Sequence, residues 1–180
     1  VFNRLISLAS VALAALVVVL AWQNLHLKRQ LAEQLQPRAE LEAGDRLGPI
    51  RLVDTTGAPG PSTVDENGGR TVLLFFTPTC PACRATVPVW QELFASPDPT
   101  LRVLGVNLGS PGENHGEVLV TAGLPFPVFG VEPEHSQGLH DINLVPATVL
   151  VDGRGIVEQA WFGELDGDRL GKVRQALAGG

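Results

Sequence analysis

Only two of the 180 residues are cysteine, Cys80 and Cys83, and that scarcity excludes more than it permits. A structural zinc site needs four ligands, and two thiols supply half of one. The histidines are scattered at positions 26, 115, 135 and 140. His135 and His140 could complete a ligand set only from more than fifty residues beyond Cys83, in a segment with no other metal-like pattern. A stapling role is also weak: a disulfide between these two positions closes a very short loop and removes little chain entropy. A chain of this length can bury a core without one. The charge balance is acidic, −6 overall, with no basic stripe, so nucleic acid is not expected as a partner. Methionine is absent and the chain opens on Val1, which leaves open an unusual or a lost start. No internal repeat is visible.

What is present is unevenly distributed. Leu5 to Trp22 (LISLASVALAALVVVLAW) carries no charge, and eighteen helical residues span about 27 Å, close to the apolar thickness of a bilayer. Arg4 precedes the run, Lys28 and Arg29 follow it, and Trp22 stands at the expected interface. A cleaved leader would have a shorter apolar region ending in a small-x-small site. Here Ala12-Leu13-Ala14 lies in mid-run. Residues 1–22 are therefore expected to be an uncleaved membrane anchor that contacts lipid through 5–22. Residues 23–47 read as a linker: Leu27, Leu31 and Leu35 repeat at four-residue spacing among charges, which fits a short solvated helix ended by Pro37 better than a coiled coil.

Residues 48–180 are expected to form one α/β domain. IRLVDTTG reads as a short strand, and TVLLFF (71–76) as a strand covered on both faces. A helix follows, with Ala82, Ala85, Val89 and Leu93 on one face, widened by Trp90 and Phe94. LRVLGVNL is the next strand, 113–122 a helix, FPVFGV a strand and 134–143 a helical turn. ATVLVD and IVEQAWFG form a hairpin around a GRG turn. A last helix carries Leu170, Val173 and Leu177, with Asp168 as its N-cap. This order implies a mixed β-sheet flanked by helices on both faces.

The position of the cysteines favours redox chemistry. Cys80 follows a buried strand and opens a helix, where unpaired N–H groups and the positive end of the helix dipole favour a thiolate. Pro81 suits the first turn, because its missing N–H would be unused there. Cys83 lies one turn further in, placed to resolve a mixed disulfide formed at Cys80. Pro88 reads either as a kink or as a bend without function.

FFTPTCPACRATVP, with LVPATVLVDGRGIV some sixty residues on, resembles the thioredoxin superfamily, and within it the membrane-anchored TlpA/ResA-like branch and MauD-type proteins. The resemblance implies a thioredoxin-like mixed sheet behind the N-terminal transmembrane helix, with Cys80 and Cys83 as the catalytic pair. It also implies a cis Val145-Pro146 bond beside them whose backbone pairs with an extended substrate. No cofactor or metal is implied. The expected partners are protein thiols and disulfides outside the cytoplasm, with an integral membrane thiol carrier as electron donor. Localisation would be the bacterial inner membrane, single-pass, with a periplasmic domain.

Three positions depart from the pattern. Leu74 stands where many relatives bury an acid, Thr79 replaces the usual tryptophan, and Thr86 occupies a position where some relatives carry glutamate. A peroxiredoxin-like peroxidase is a second reading, since Thr77 precedes Cys80 by three residues, although Leu73 stands where that family has proline. A tethered copper or zinc carrier is a third.

Overall fold

The computed structural model describes residues 16–26, 28, 41–48, 50–65, 68–96, 98–109, 123–132, 139, 142 and 144–179. The chain divides into two units, Val1–Arg38 and Ala39–Gly180. In the first, residues 16–26 are helical. Their apolar side chains face outward, Val19 at 49% exposure and Val18 at 67%, and the Trp22 and His26 rings stack at 5.6 Å. Among the described residues no helix is long and apolar enough to cross a membrane. Most of the expected span lies outside the described residues, as do Leu27, Leu31, Leu35 and Pro37.

Among the described residues the second unit has six strands: β1 (Leu52–Val53), β2 (Arg70–Phe76), β3 (Leu101–Asn107), β4 (Val128–Val131), β5 (Ala147–Val151) and β6 (Val157–Phe162). Their order in the sheet is β1-β4-β3-β2-β5-β6. β2, β3 and β4 are parallel, while β1, β5 and β6 run antiparallel to their neighbours. The apolar run of β2 has its cause here. As a central strand it feeds Leu73 and Phe75 to one face and Val72, Leu74 and Phe76 to the other, all with no exposed surface. Each such side chain contributes about 1.5–3 kcal/mol on burial.

The two helices described in this unit, α1 (Pro81–Leu93) and α2 (Gly167–Ala178), both cover the Leu74 face. The expected helix at 113–122 and most of the turn at 134–143 lie outside the described residues. On the opposite face, Leu41, Leu47, Ile50 and Leu52 fill the core. This corrects the start of the domain. Leu41 and Leu47, assigned to the linker from sequence, are 5% and 4% exposed. Their segment is tied to the β5–β6 hairpin by Gly44 N and Leu47 N, which donate to Val157 O and Gly155 O. The hairpin turn is closed by Asp152 Oδ1, which accepts from Arg154 N and Ile156 N, and by Gly155 at φ +77°, a region that favours glycine.

Two helix details also differ from the sequence reading. The buried stripe of α1 is Cys83, Thr86, Val87, Trp90 and Phe94, with Ala85 exposed. It is rotated from the expected face because Cys83, not Ala82, points at β2. The N-cap of α2 is Asp166, and Asp168 lies in the first turn; Leu170 N donates to Asp166 O at 2.7 Å, so the helix begins earlier than its apolar periodicity indicates.

Candidate active site

β2 ends at Phe76, and the Thr77-Pro78-Thr79 turn delivers Cys80 to the start of α1. Cys80 N donates to Thr77 O at 3.3 Å, and Arg84 N donates to Cys80 O at 3.2 Å, the first bond of the helix. Cys80 is thereby the N-cap residue with extended dihedrals, and Pro81 follows inside the first turn. Its sulfur serves as the cap: Cys83 N donates to Cys80 Sγ at 3.1 Å. This is the bond a serine or aspartate oxygen makes at other helix starts. Negative charge on that sulfur therefore meets a backbone N–H and the positive helix end.

The two thiols are free and differ in environment. Cys80 is partly exposed, whereas Cys83 has no exposed surface and sits in the apolar cluster with Leu74, Phe76, Val87 and Trp90. Burial, reinforced by the adjacent Cys80, pushes the Cys83 thiol up to about 12. The Thr77 backbone opposes this in part, and among the described residues no carboxylate acts on it. Leu74, at the position where an acid would be buried, is itself fully enclosed in this cluster. Thr86 is 1% exposed, and its hydroxyl donates to Ala82 O at 2.9 Å, so it serves the helix.

The Val145-Pro146 peptide bond is cis. β5 begins directly after it, with Ala147 opposite Phe75, so the antiparallel register brings 145–146 to the cysteine end of β2. Gly163 N donates to Pro146 O at 2.7 Å, anchoring the segment to the end of β6. Cys80 Sγ donates to Val145 O across 3.8 Å. The residues singled out from sequence, Cys80, Cys83, Val145 and Pro146, are thus brought together. Sequence reading missed Gly163, which carries no local signal, and Leu144, which is 50% exposed beside Val145. His135 and His140 lie outside the described residues. Among the described residues no group of three or more His, Cys, Asp or Glu side chains is placed to hold a metal ion.

No family model matches the chain. A curated relative, sporulation thiol-disulfide oxidoreductase A of Bacillus subtilis, is 24% identical over 112 residues, 60% of this chain and 68% of that protein. The thioredoxin domain of a thiol-disulfide oxidoreductase from Bacteroides vulgatus superposes with a TM-score of 0.62 at 21% identity, covering 77% of this chain and 99% of that one. A thiol:disulfide interchange protein from a Bacteroides species gives 0.62 at 22% identity, over 78% and 92% of the two chains. StoA from Bacillus subtilis gives 0.57 at 18%, over 72% and 96%. The fold is that of the thioredoxin superfamily. In thioredoxin-fold terms, the cysteine pair heads the first described helix after the central strand, and the cis-proline segment opens the strand beside it.

Proposed function

We propose that the chain is a membrane-anchored thiol–disulfide oxidoreductase of the TlpA/ResA-like branch, acting on protein substrates outside the cytoplasm. One observation carries the chemistry: a partly exposed sulfur that accepts a backbone N–H at a helix start, with a second, fully buried thiol one turn behind it. The thiolate of Cys80 attacks a substrate disulfide, forming a mixed disulfide and releasing one substrate thiol, which takes up a proton. Cys83 then gives up its proton and attacks Cys80 Sγ. The Cys80–Cys83 disulfide forms, and the second substrate thiol leaves. The substrate gains two electrons and the protein dithiol loses two. A dithiol donor, here a membrane thiol carrier, then reduces the Cys80–Cys83 disulfide through its own mixed disulfide and is itself oxidised to a disulfide, which restores both protein thiols.

The raised Cys83 thiol supports this division of labour. A protonated, enclosed thiol does not compete for incoming disulfides, and it becomes reactive only when Cys80 is already bonded. Val145 O, near Cys80, supports strand-like pairing with an extended substrate, with Val145 and Pro146 as the contact. The outward-facing apolar side chains of residues 16–26 support contact with lipid. That placement also suits the chemistry, because protein disulfides accumulate outside the cytosol. The test is trapping in native membranes. Cys83→Ala should retain specific proteins on Cys80 through bonds that dithiothreitol releases. Recovery of the same set with Cys80→Ala would overturn the assignment.

A further inference from the structure

The cysteine site does not account for a stretch of sheet edge, at the other end of the domain, that no described strand pairs with. β3 pairs with β2 along its whole length, but with β4 only from Gly105 to Asn107. In a parallel ladder, alternate residues turn both backbone groups to the same neighbour. Gly105 N donates to Pro127 O at 2.9 Å, so Gly105, and by alternation Val103, face the β4 side. Two residues back from the Gly105–Val128 pair, Val103 would lie opposite Phe126. Its carbonyl would then receive the N–H of residue 127, which is proline and has none. The sequence LPFPV thus ends the ladder at Gly105. Among the described residues no strand lies beside Val103.

A cavity of about 440 Å³ opens at this edge, walled by Leu93, Phe94, Leu101, Val103, Phe126 and Leu177. Its size suits one or two large apolar side chains or a small ligand. Glu92, Asp98 and Arg174 stand around it. Arg174 Nη2 and Glu92 Oε1 are 2.6 Å apart and neutralise each other. Asp98 is the remaining charge in the cavity wall; Arg70 acts on it electrostatically but is itself paired with Glu158. Thr100 N and Oγ1 both donate to its Oδ1, at 2.8 and 2.7 Å, so Oδ2 takes no part in these bonds. The same bonds, helped by the Arg70 charge, hold its carboxyl below the usual range.

We propose that this edge binds an extended segment of a partner protein by strand addition to Val103, with an apolar side chain in the cavity and a basic side chain at Asp98. The three features act together: backbone groups give pairing, the cavity selects alternate side chains, and the acidic rim selects charge. Leu101 lies opposite Arg70, at the far end of β2 from Cys80, about 20 Å along the strand. A partner held there leaves Cys80 free, so the site would recruit a protein without occupying the thiol.

The test uses the full 180-residue chain, ¹⁵N-labelled in detergent, and the acetylated hexapeptide Lys-Val-Phe-Val-Lys-Thr as probe. Saturable shifts should centre on the Val103 amide, since Leu101 N already donates to Asp98 O at 3.1 Å, with a Kd below about 1 mM. Asp98→Asn, which keeps an oxygen for Thr100, should weaken binding about three- to tenfold, and the twin peptide with Glu for both Lys should bind at least as poorly. Leu177→Trp, which fills the cavity from α2, should abolish binding while the amides around Cys80 keep their shifts. The absence of saturation, equal binding of the Lys and Glu peptides, or shifts centred on Cys80 and Val145 would each overturn the proposal. Trapping at Cys80 would be unaffected by any of these results, so the two proposals fail separately.

Discussion

Raising the pH of the reduced protein should unlock the Cys83 thiol and cost stability in a defined window. The thiol ionises near 9.0 when unperturbed and near 12 in the folded domain. A folded value above the unfolded one means that the stabilisation is fully present below about pH 9. It is lost as pH rises toward 12, because the unfolded chain releases its proton first. Within the window each pH unit costs up to about 1.4 kcal/mol, so moving from pH 9 to 11 should remove about 2–3 kcal/mol. The sequence makes this measurable: it has no tyrosine and only two lysines, Lys28 and Lys172, so few other groups titrate in this range. Guanidinium unfolding in the presence of a phosphine reductant, followed by the fluorescence of buried Trp90 and Trp161, gives the profile. Cys83→Ala should lower stability at every pH by leaving a small void, yet flatten the alkaline slope. A wild-type profile that changes by less than about 0.5 kcal/mol over this range, or an unchanged slope in Cys83→Ala, would refute the argument that burial holds this thiol protonated.

Two structural predictions follow from contacts around the sheet. Arg70 Nε and Nη2 donate to Glu158 Oε2 at 2.9 and 2.7 Å, and Nη2 also donates to Ala176 O at the end of α2. Arg70→Ala should cost about 1.5–3 kcal/mol in chemical denaturation, since it strips a charge-assisted pair and uncaps the helix end; an unchanged midpoint would contradict this. Gly105→Ala places a Cβ 2.9 Å from Val128 Cγ2 and 3.4 Å from the Phe126 ring. It should cost about 1–3 kcal/mol by overpacking where β4 joins β3, and Val128→Ala should recover part of that loss.

The sheet was legible because its strands announce themselves in different ways. β2 is apolar at every position because both faces are covered, and β5–β6 is apolar around a turn that Asp152 and Gly155 close. The geometry of the candidate site was legible because CPAC and the valine-proline pair are short motifs that the fold places side by side. What sequence could not supply was phase. The α1 stripe was drawn through Ala82 and Ala85, since alanine counts as apolar. The Cys80 cap instead rotates Cys83, Thr86 and Trp90 inward. Leu41 and Leu47 read as linker because the backbone bonds that hold them come from the β5–β6 hairpin more than one hundred residues later. The anchoring of Pro146 by Gly163 and the end of the β3–β4 pairing at Gly105 are likewise consequences of register, which no local pattern encodes. The proline at 127 shows its meaning only once Gly105 is known to pair with Val128.

The most direct measurement of the central claim is competitive thiol labelling of the reduced, folded chain. Limiting iodoacetamide followed by peptide mapping should modify Cys80 and leave Cys83 untouched until denaturant is added, at which point both react alike. Labelling of Cys83 in the folded chain at a rate comparable to that of Cys80 would contradict the assignment of one outer attacking sulfur and one enclosed resolving thiol.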